Sequence, residues 1–193
     1  MTRYVIDLET QRISRDHSRK LELFQELFLK WNQSINLSGA KTGAEVDEHI
    51  RDSLHVVPYL PPSGRVLDVG SGGGFPVVVT AICLPDAQFT ALEPVHKKHA
   101  FLRTAARELE LLNLEAFAKR VEDYEDRDFD AVTSRATFDL ADWLTLGLTL
   151  VRPGGLVIGF EAIQRDDLPE SVQRFTYELG GKQRSIVTVH RPA

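Results

Sequence analysis

Cysteine is almost absent from the 193-residue chain: Cys83 is the only one, so a disulfide within the chain is excluded. No apolar stretch approaches the roughly 20 residues that a membrane-spanning helix needs. Residues 1–9 mix charged and apolar side chains and lack the apolar centre of a signal peptide. His96 and His99 form a close pair without cysteine or carboxylate partners, so no metal site is predicted. We expect a cytoplasmic protein with no membrane, metal or disulfide partner.

An excess of basic residues is also lacking, because 28 acidic side chains outnumber 23 lysines and arginines and give a net charge of −5. Binding to a nucleic acid would therefore need a local basic patch. The densest one lies at the start of a predicted helix over residues 96–112, at Lys97, Lys98 and Arg103. Such a run is either a solvated helix face or a contact with a phosphate backbone.

Glycine, by contrast, is concentrated in one place. A predicted strand over residues 66–69 leads into a loop with Gly70, Gly72 and Gly74, and a predicted buried helix follows at 77–84. In α/β proteins, a strand, a glycine turn and a helix in this order hold the ribose, phosphate or charged tail of a nucleoside cofactor. A dinucleotide-binding loop would have its third glycine where this chain has Phe75. That bulky side chain disfavours a bound pyrophosphate and favours S-adenosylmethionine as the cofactor.

Strands and helices alternate after this loop. Further strands are predicted at residues 88–93, 114–118, 129–135 and 156–160. The helices between and after them are predicted at 96–112, 140–151 and 167–174. Residues 175–179 and 184–190 predict a hairpin across Gly180-Gly181. This pattern indicates an α/β protein with the Rossmann-like sheet of class I S-adenosylmethionine-dependent methyltransferases, mostly parallel and ending in an antiparallel C-terminal hairpin.

Polar residues follow the ends of several predicted strands, where parallel sheets bind ligands. Glu93 lies about 20 residues beyond the glycine loop, where nucleoside-binding folds place a carboxylate for ribose hydroxyls. Arg135 ends the fourth predicted strand and should face the same crevice, unless it forms a salt bridge with an acid such as Asp68. Val121 and Glu122 follow the third strand, where the chain can pass beside a bound adenine.

An N-terminal helical cap is predicted before the sheet, with amphipathic helices over residues 18–35 and 44–59. A Pro-Pro-Ser-Gly break at 61–64 separates the cap, residues 1–60, from an α/β core, residues 65–193, within one methyltransferase domain. The polar face of the second helix carries His49, Asp52 and Ser53, which are either solvated or functional.

Four motifs in this order resemble those of the bacterial GidB/RsmG-type methyltransferases. They are W-N-x-x-x-N-L-S at 31–38, H-I-R-D-S-L at 49–54, D-V-G-S-G-G-G-F-P at 68–76 and S-R-A at 134–136. The resemblance extends over about residues 20–190. It implies that the enzyme methylates ring nitrogen N7 of a guanine in small-subunit (16S) ribosomal RNA, with S-adenosylmethionine as cofactor. The expected partner is then ribosomal RNA or a small-subunit particle.

The resemblance also implies roles for two groups of residues. Those around the cofactor are Gly70 and Phe75 at its border, Glu93 near the ribose, Val121 and Glu122 beside the adenine, and Arg135 at the crevice. Those on the substrate side are Asn36, His49, Asp52 and Ser53. No catalytic base is assigned, because N7 of guanine has a free lone pair and needs no deprotonation.

Two positions depart from the family pattern. Val77-Val78-Val79 replaces a segment with glycine and proline, and Glu161 stands where a lysine is usual. A negative charge beside an anionic RNA should weaken its docking, so Glu161 leaves two alternatives open. One is a methyltransferase that acts on a small molecule or a protein, and the other is a nucleoside-binding module without catalysis.

Overall fold

The structure, a computed structural model, describes residues 14–193; residues 1–13, which open the predicted cap, lie outside the described part. Two helices come first, α1 (Arg15–Ile35) and α2 (Gly43–Leu54), and they confirm the two helices predicted there. α2 ends earlier than predicted because a proline-containing 3-10 turn, Val57–Tyr59, takes its place. No helix within residues 14–193 is long and apolar enough to cross a membrane.

Local side chains fix where these two helices end and begin. α1 stops at Asn36, which adopts the left-handed conformation of a C-cap with φ of 50°. α2 starts with a capping box, in which the Thr42 and Glu45 side chains each accept a hydrogen bond from the other residue's backbone N–H. The short connection between the helices therefore has a defined path.

Seven strands form one sheet in the order β3-β2-β1-β4-β5-β7-β6. They are β1 (Gly64–Val69), β2 (Ala87–Leu92), β3 (Leu114–Phe117), β4 (Phe129–Ser134), β5 (Val151–Glu161), β6 (Gln173–Leu179) and β7 (Lys182–His190). Three helices lie between strands: α3 (Val77–Cys83), α4 (His96–Glu108) and α5 (Leu140–Leu148). The first five strands are parallel, whereas β6 and β7 form an antiparallel hairpin that joins the sheet through β5. The predicted fold class is confirmed.

The position of β1 determines where ligands can bind. β1 pairs with β2 on one side and with β4 on the other, so the chain reverses its winding direction beside it. Crevices in open α/β sheets form at such a reversal, outside the carboxyl ends of the strands. The glycine loop begins at that end of β1.

Each face of the sheet has its own hydrophobic core. On the cap side, Phe75 packs against Phe24 and Phe28 of α1, with ring centroids 5.2 and 5.3 Å apart. Val77-Val78-Val79 is buried in the same core, so this departure from the family pattern packs α3 against its neighbours. On the opposite face, Trp143 of α5 is buried and donates a hydrogen bond to the Ile158 carbonyl oxygen at 2.8 Å. Aromatic packing thus fixes the glycine loop to the cap.

Three sequence predictions are wrong in detail. Residues 167–174 form no helix, because Pro169 interrupts the segment and β6 already begins at Gln173. The strand predicted at 156–160 starts earlier, at Val151, and takes in the Pro-Gly-Gly segment. The helix predicted at 96–112 ends earlier, at Glu108, and Leu112 beyond it is 99% exposed.

Candidate active site

The carboxyl ends of the central strands open onto a cleft of about 950 Å³. Its lining comes from the loop after α1, from α2, from the loops after β1, β2 and β4, and from the ends of β5, β6 and β7. Pockets for single small ligands have volumes of roughly 300–1,000 Å³. The cleft is therefore large enough for a nucleoside cofactor and part of a second ligand.

Asn32 shapes the part of the cleft that follows α1. Its side-chain NH₂ donates to the Ala40 carbonyl oxygen at 2.5 Å, and its carbonyl oxygen accepts from the Ser38 N–H at 3.1 Å. Residues 37–40 line the cleft and are held in place by these two bonds. Asn32, the asparagine that follows Trp31 in the W-N-x-x-x-N-L-S motif, thus has a structural role.

One wall of the cleft, called here the glycine wall, consists of residues 70–73, Phe75 and Glu93. Gly70 has φ of +74°, and a Cβ there would lie 2.2 Å from the Thr137 Oγ1 atom. Gly72 also has a positive φ, +53°, but a Cβ there would meet only a backbone oxygen, 3.7 Å away. Gly70 is therefore required for close packing against the β4 loop, whereas the space above Gly72 is open to a ligand.

Glu93 is buried, and its carboxylate is anchored by backbone groups of the glycine wall and of its own loop. Oε2 accepts from the Gly72 N–H and Oε1 from the Val95 N–H, both at 2.8 Å. A carboxylate has about four acceptor positions. Two of them thus remain for ligand hydroxyls, which fits the predicted contact with a ribose.

Asp68 lies at the end of β1, directly before the glycine wall, and is 1% exposed. Its Oδ1 accepts from the Thr133 hydroxyl at 2.7 Å, whereas its Oδ2 is buried without a partner among the described residues. Burial raises the pKa of this carboxyl from 3.8 to about 6. A buried, unpartnered carboxylate oxygen is costly, and a ligand donor at the glycine wall would offset part of that cost.

The opposite wall, called here the cap wall, consists of Asp52, Arg135, Tyr177 and Arg184. Asp52 Oδ2 accepts from Arg135 Nη1 at 3.0 Å. Its Oδ1 accepts from the Tyr177 hydroxyl at 2.8 Å and from Arg184 Nη1 at 3.1 Å. The partner of Arg135 is therefore Asp52 and not Asp68, which the sequence reading offered as its alternative.

His49 lies in the cleft between the two walls. Its ring packs on Phe75 with centroids 5.3 Å apart, and its buried Nδ1 has no hydrogen-bond partner among the described residues. Burial lowers the pKa of His49 below 6.5, and the nearby Arg135 charge lowers it further, although Asp52 and Glu48 oppose the shift. The net effect favours the neutral form of the imidazole.

Arg135 leaves β4 on a strained loop. The next residue, Ala136, has φ of +56°, a left-handed conformation that is uncommon for a residue with a side chain. The Arg135 guanidinium carbon lies 5.3 Å from the centre of the Phe75 ring, within cation–π range. Arg135 thus contacts one residue from each wall.

Five of the predicted site residues lie outside the cleft lining. Asn36 is exposed at the end of α1, and Ser53 is buried, with its hydroxyl bonded to the His49 carbonyl oxygen at 2.8 Å. Gly74 faces the core, since a Cβ there would lie 2.7 Å from Val78 Cγ2. The other two, in the 3-10 turn after β3, are Val121, which is buried, and Glu122, which is exposed. Their functional roles stay predictions.

The predicted RNA-contact residues point away from α4 in different directions. Since a helix turns 100° per residue, Lys97, Lys98 and Arg103 lie on three different sides of it. Lys98 lines the cleft, Lys97 is exposed beside it, and Arg103 is exposed near His99 and β3. Only Lys98 can therefore meet a ligand inside the cleft.

The carboxylate of Glu161 is paired. Its sequence position alone predicts an unpaired negative charge that would weaken the docking of RNA. Its carboxylate binds the Arg174 guanidinium through two hydrogen bonds, at 2.6 and 3.0 Å, and accepts from the Arg165 N–H at 2.9 Å. The side chain is 1% exposed. Arg174 of β6 thus neutralises its charge.

Sequence reasoning missed Tyr177 and Arg184. The only signal was the predicted hairpin, because the two residues are direct cross-strand partners in it. Within residues 14–193, no group of three or more histidine, cysteine, aspartate or glutamate side chains could hold a metal ion.

Comparison with known proteins gives a family match over most of the chain. The family model GidB, described as rRNA small subunit methyltransferase G, matches residues 17–192. Ribosomal RNA small subunit methyltransferase G of Neisseria gonorrhoeae is 41% identical over 189 residues, which cover 93% of this chain and 91% of that protein. The protein of the same name from Wolinella succinogenes is 39% identical over 150 residues, or 78% of this chain and 75% of that one.

A solved structure shares the fold at low sequence identity. Cofactor-bound Rv0187 from MTB superposes with a TM-score of 0.65 and 15% identity, over 89% of this chain and 91% of that one.

Proposed function

This chain belongs to the GidB family of ribosomal RNA small subunit methyltransferases G, and we propose that it transfers the methyl group of S-adenosylmethionine to ring nitrogen N7 of a guanine in small-subunit ribosomal RNA. One observation supports the proposal most directly: the glycine wall and the cap wall line the same cleft. A nucleoside cofactor on one side and a base on the other would then meet in its centre.

The residues of the glycine wall fit S-adenosylmethionine. Glu93 has acceptor positions left for ribose hydroxyls, and the space above Gly72 is open. Asp68, just before this wall, has a carboxylate oxygen that no donor within residues 14–193 reaches. Bound there, the cofactor supplies a methyl group activated by the sulfonium charge. Gly70, Phe75 and Arg135 would border it, with Val121 and Glu122 beside the adenine.

The contribution of this chain to the reaction is alignment. Guanine N7 attacks with its own lone pair, so no residue needs to act as a base. Holding two reactants at near-attack distance can lower a barrier by roughly 7–11 kcal/mol. Methylation at N7 leaves a positive charge on the base, and the lowered pKa of His49 disfavours a second positive charge beside it.

The target guanine has to leave its base stack to enter the cleft, which favours a loop or a single strand of RNA. Lys97, Lys98 and Arg103 are the proposed phosphate contacts, and a small-subunit particle would add contacts of its own. A ribosomal substrate would mean that the protein acts in the cytoplasm, as one domain in which the cap covers the α/β core.

Transfer of a tritiated methyl group from S-adenosylmethionine to small-subunit particles that lack the modification tests this proposal. After digestion to nucleosides, we expect the label in 7-methylguanosine. Label in another nucleoside would overturn the position. No incorporation despite calorimetric binding of the cofactor would favour the non-catalytic module, and transfer to a small molecule or protein instead would favour the other alternative.

A further inference from the structure

Arg135 is held by contacts that come from distant parts of the chain. Its guanidinium lies over the Phe75 ring and donates one hydrogen bond to Asp52, 83 residues away in sequence. An arginine has five N–H donors, and this is its only hydrogen bond as donor within residues 14–193. The remaining donors are available to a ligand in the cleft, provided that the side chain keeps this orientation.

Asp52, in turn, is oriented by the C-terminal hairpin. Its Oδ1 accepts from Tyr177 and Arg184, which leaves Oδ2 for Arg135. Asp52 is 3% exposed, so water cannot replace these donors freely. Side chains of direct cross-strand partners lie on the same face of a hairpin, and the register therefore places the Tyr177 hydroxyl and the Arg184 guanidinium at one carboxylate.

Two further contacts fasten the hairpin to α2. Arg184 Nη2 donates to Glu48 Oε1 at 2.5 Å, so one guanidinium joins two carboxylates that are one helical turn apart. The Tyr177 ring stacks on His55 with centroids 3.9 Å apart. The two carboxylates and the two arginines balance in charge, and the array is rigid without adding net charge to the cleft.

We infer that Tyr177 and Arg184 are positioning residues for methyl transfer: they fix Asp52, and Asp52 fixes the Arg135 guanidinium in the cleft. The inference rests on the proposed function only for its activity assay. Arg135 would touch the cofactor or the base, whereas Tyr177 would act through Asp52 and Arg135.

Tyr177→Phe is the cleanest variant, because it removes one hydroxyl and keeps the ring on His55. We expect kcat/KM for methylation to fall by about 10-fold, the lower end of the range for one hydrogen bond to a charged group, with little change in Tm. Tyr59→Phe is the matched control. Its ring packs on Phe175 of the same hairpin at 4.5 Å, but its hydroxyl is not bonded to Asp52. The control should keep wild-type activity.

A double-mutant cycle with Arg135→Ala separates positioning from a merely structural role. If Tyr177 acts through Arg135, Tyr177→Phe should cause no further loss once Arg135 is gone. Losses that multiply would overturn the inference, and so would wild-type kcat/KM in Tyr177→Phe alone. Arg184→Gln should give the same non-additivity with a larger single loss.

Failure of the proposed function is distinguishable from failure of this inference. If the wild-type protein methylates no ribosomal RNA, the same cycle is run on S-adenosylhomocysteine affinity, measured by calorimetry. Coupled losses of affinity support the positioning of Arg135 by the hairpin. Independent losses, or unchanged affinity in all three variants, contradict it.

Discussion

The two walls of the cleft are held in place by different kinds of contact. The glycine wall depends on backbone: close approach at Gly70 and N–H groups that hold Glu93. The cap wall depends on two arginines and a tyrosine that meet at Asp52 from three other segments. A single added methyl group should therefore disrupt the glycine wall. In the cap wall, each substitution should remove only one hydrogen bond or ion pair.

Gly70→Ala should have the largest effect of any single change in the cleft. The new Cβ would lie 2.2 Å from Thr137 Oγ1, and the alanine would have to adopt the positive φ of this position. Because the loop must shift, we expect S-adenosylhomocysteine binding to fall below calorimetric detection and Tm to decrease.

Gly154→Ala is the matched control for that change. Its φ of +75° imposes the same strain, but the nearest atom to its Cβ, Arg152 Nη1, is 3.7 Å away, far from the cleft. It should lower stability by about 1 kcal/mol and leave binding intact. Equal loss of binding in both variants would show that the close approach at Gly70 is unimportant.

Asp68→Asn tests whether the buried carboxylate that precedes the glycine wall lowers the stability of the protein. Between about pH 4 and pH 6, folded Asp68 keeps a proton that the unfolded chain has released, since its pKa is raised to about 6. Stability therefore falls as the pH rises through this window, by on the order of 3 kcal/mol. Asparagine cannot ionise, so the variant should be more stable than wild type at pH 7 and nearly equal to it at pH 4. Its cofactor affinity should fall.

Asp130→Asn is a control for which the pKa shift, and therefore the expected change in stability, has the opposite sign. The Arg65 backbone N–H and then Arg152 lower the pKa of Asp130, at the far end of the sheet. That variant should lose stability at neutral pH, as followed by urea unfolding from pH 4 to pH 8. An Asp68 variant that behaves in the same way would mean that its carboxylate is well solvated or paired.

Glu93→Gln should have a smaller effect, confined to the glycine wall. The amide has one acceptor oxygen where the carboxylate has two, so one of the Gly72 and Val95 N–H groups would face an NH₂ group. We expect S-adenosylhomocysteine affinity to drop by about 10-fold and RNA affinity to stay unchanged. Glu115→Gln, an exposed change on β3, is the control. Equal loss of RNA affinity would show that the two walls are not separable.

The same difference explains why the sequence predicts the glycine wall but not the cap wall. The glycine wall comes from one continuous stretch and Glu93, so strand and turn rules predict its placement at the end of β1. Asp52 and Tyr177 are 125 residues apart, and only the sheet order brings them together. No local rule gives the hairpin register that pairs Tyr177 with Arg184.

Side-chain partners explain the other differences from expectation. A sequence shows that Glu161 is acidic but not that Arg174 covers it. It shows that Lys97, Lys98 and Arg103 are close in sequence, but which of them faces the cleft depends on how α4 packs on the sheet. Hydrophobic periodicity and turn residues are enough to predict the fold. The ion pairs cannot be predicted in this way, because they depend on tertiary contacts.

The smallest predicted effect concerns the basic residues beside the cleft. For single-stranded RNA, removing one lysine or arginine that binds a phosphate should reduce the slope of log K against log salt by about 0.7. Lys98→Ala should produce that reduction because Lys98 lines the cleft, whereas Arg103→Ala should produce less, since Arg103 lies on another side of α4. Filter binding of the RNA over a range of potassium chloride concentrations measures both slopes. A larger reduction for Arg103 would mean that the RNA approaches along β3, and the cap wall would then lie outside its path.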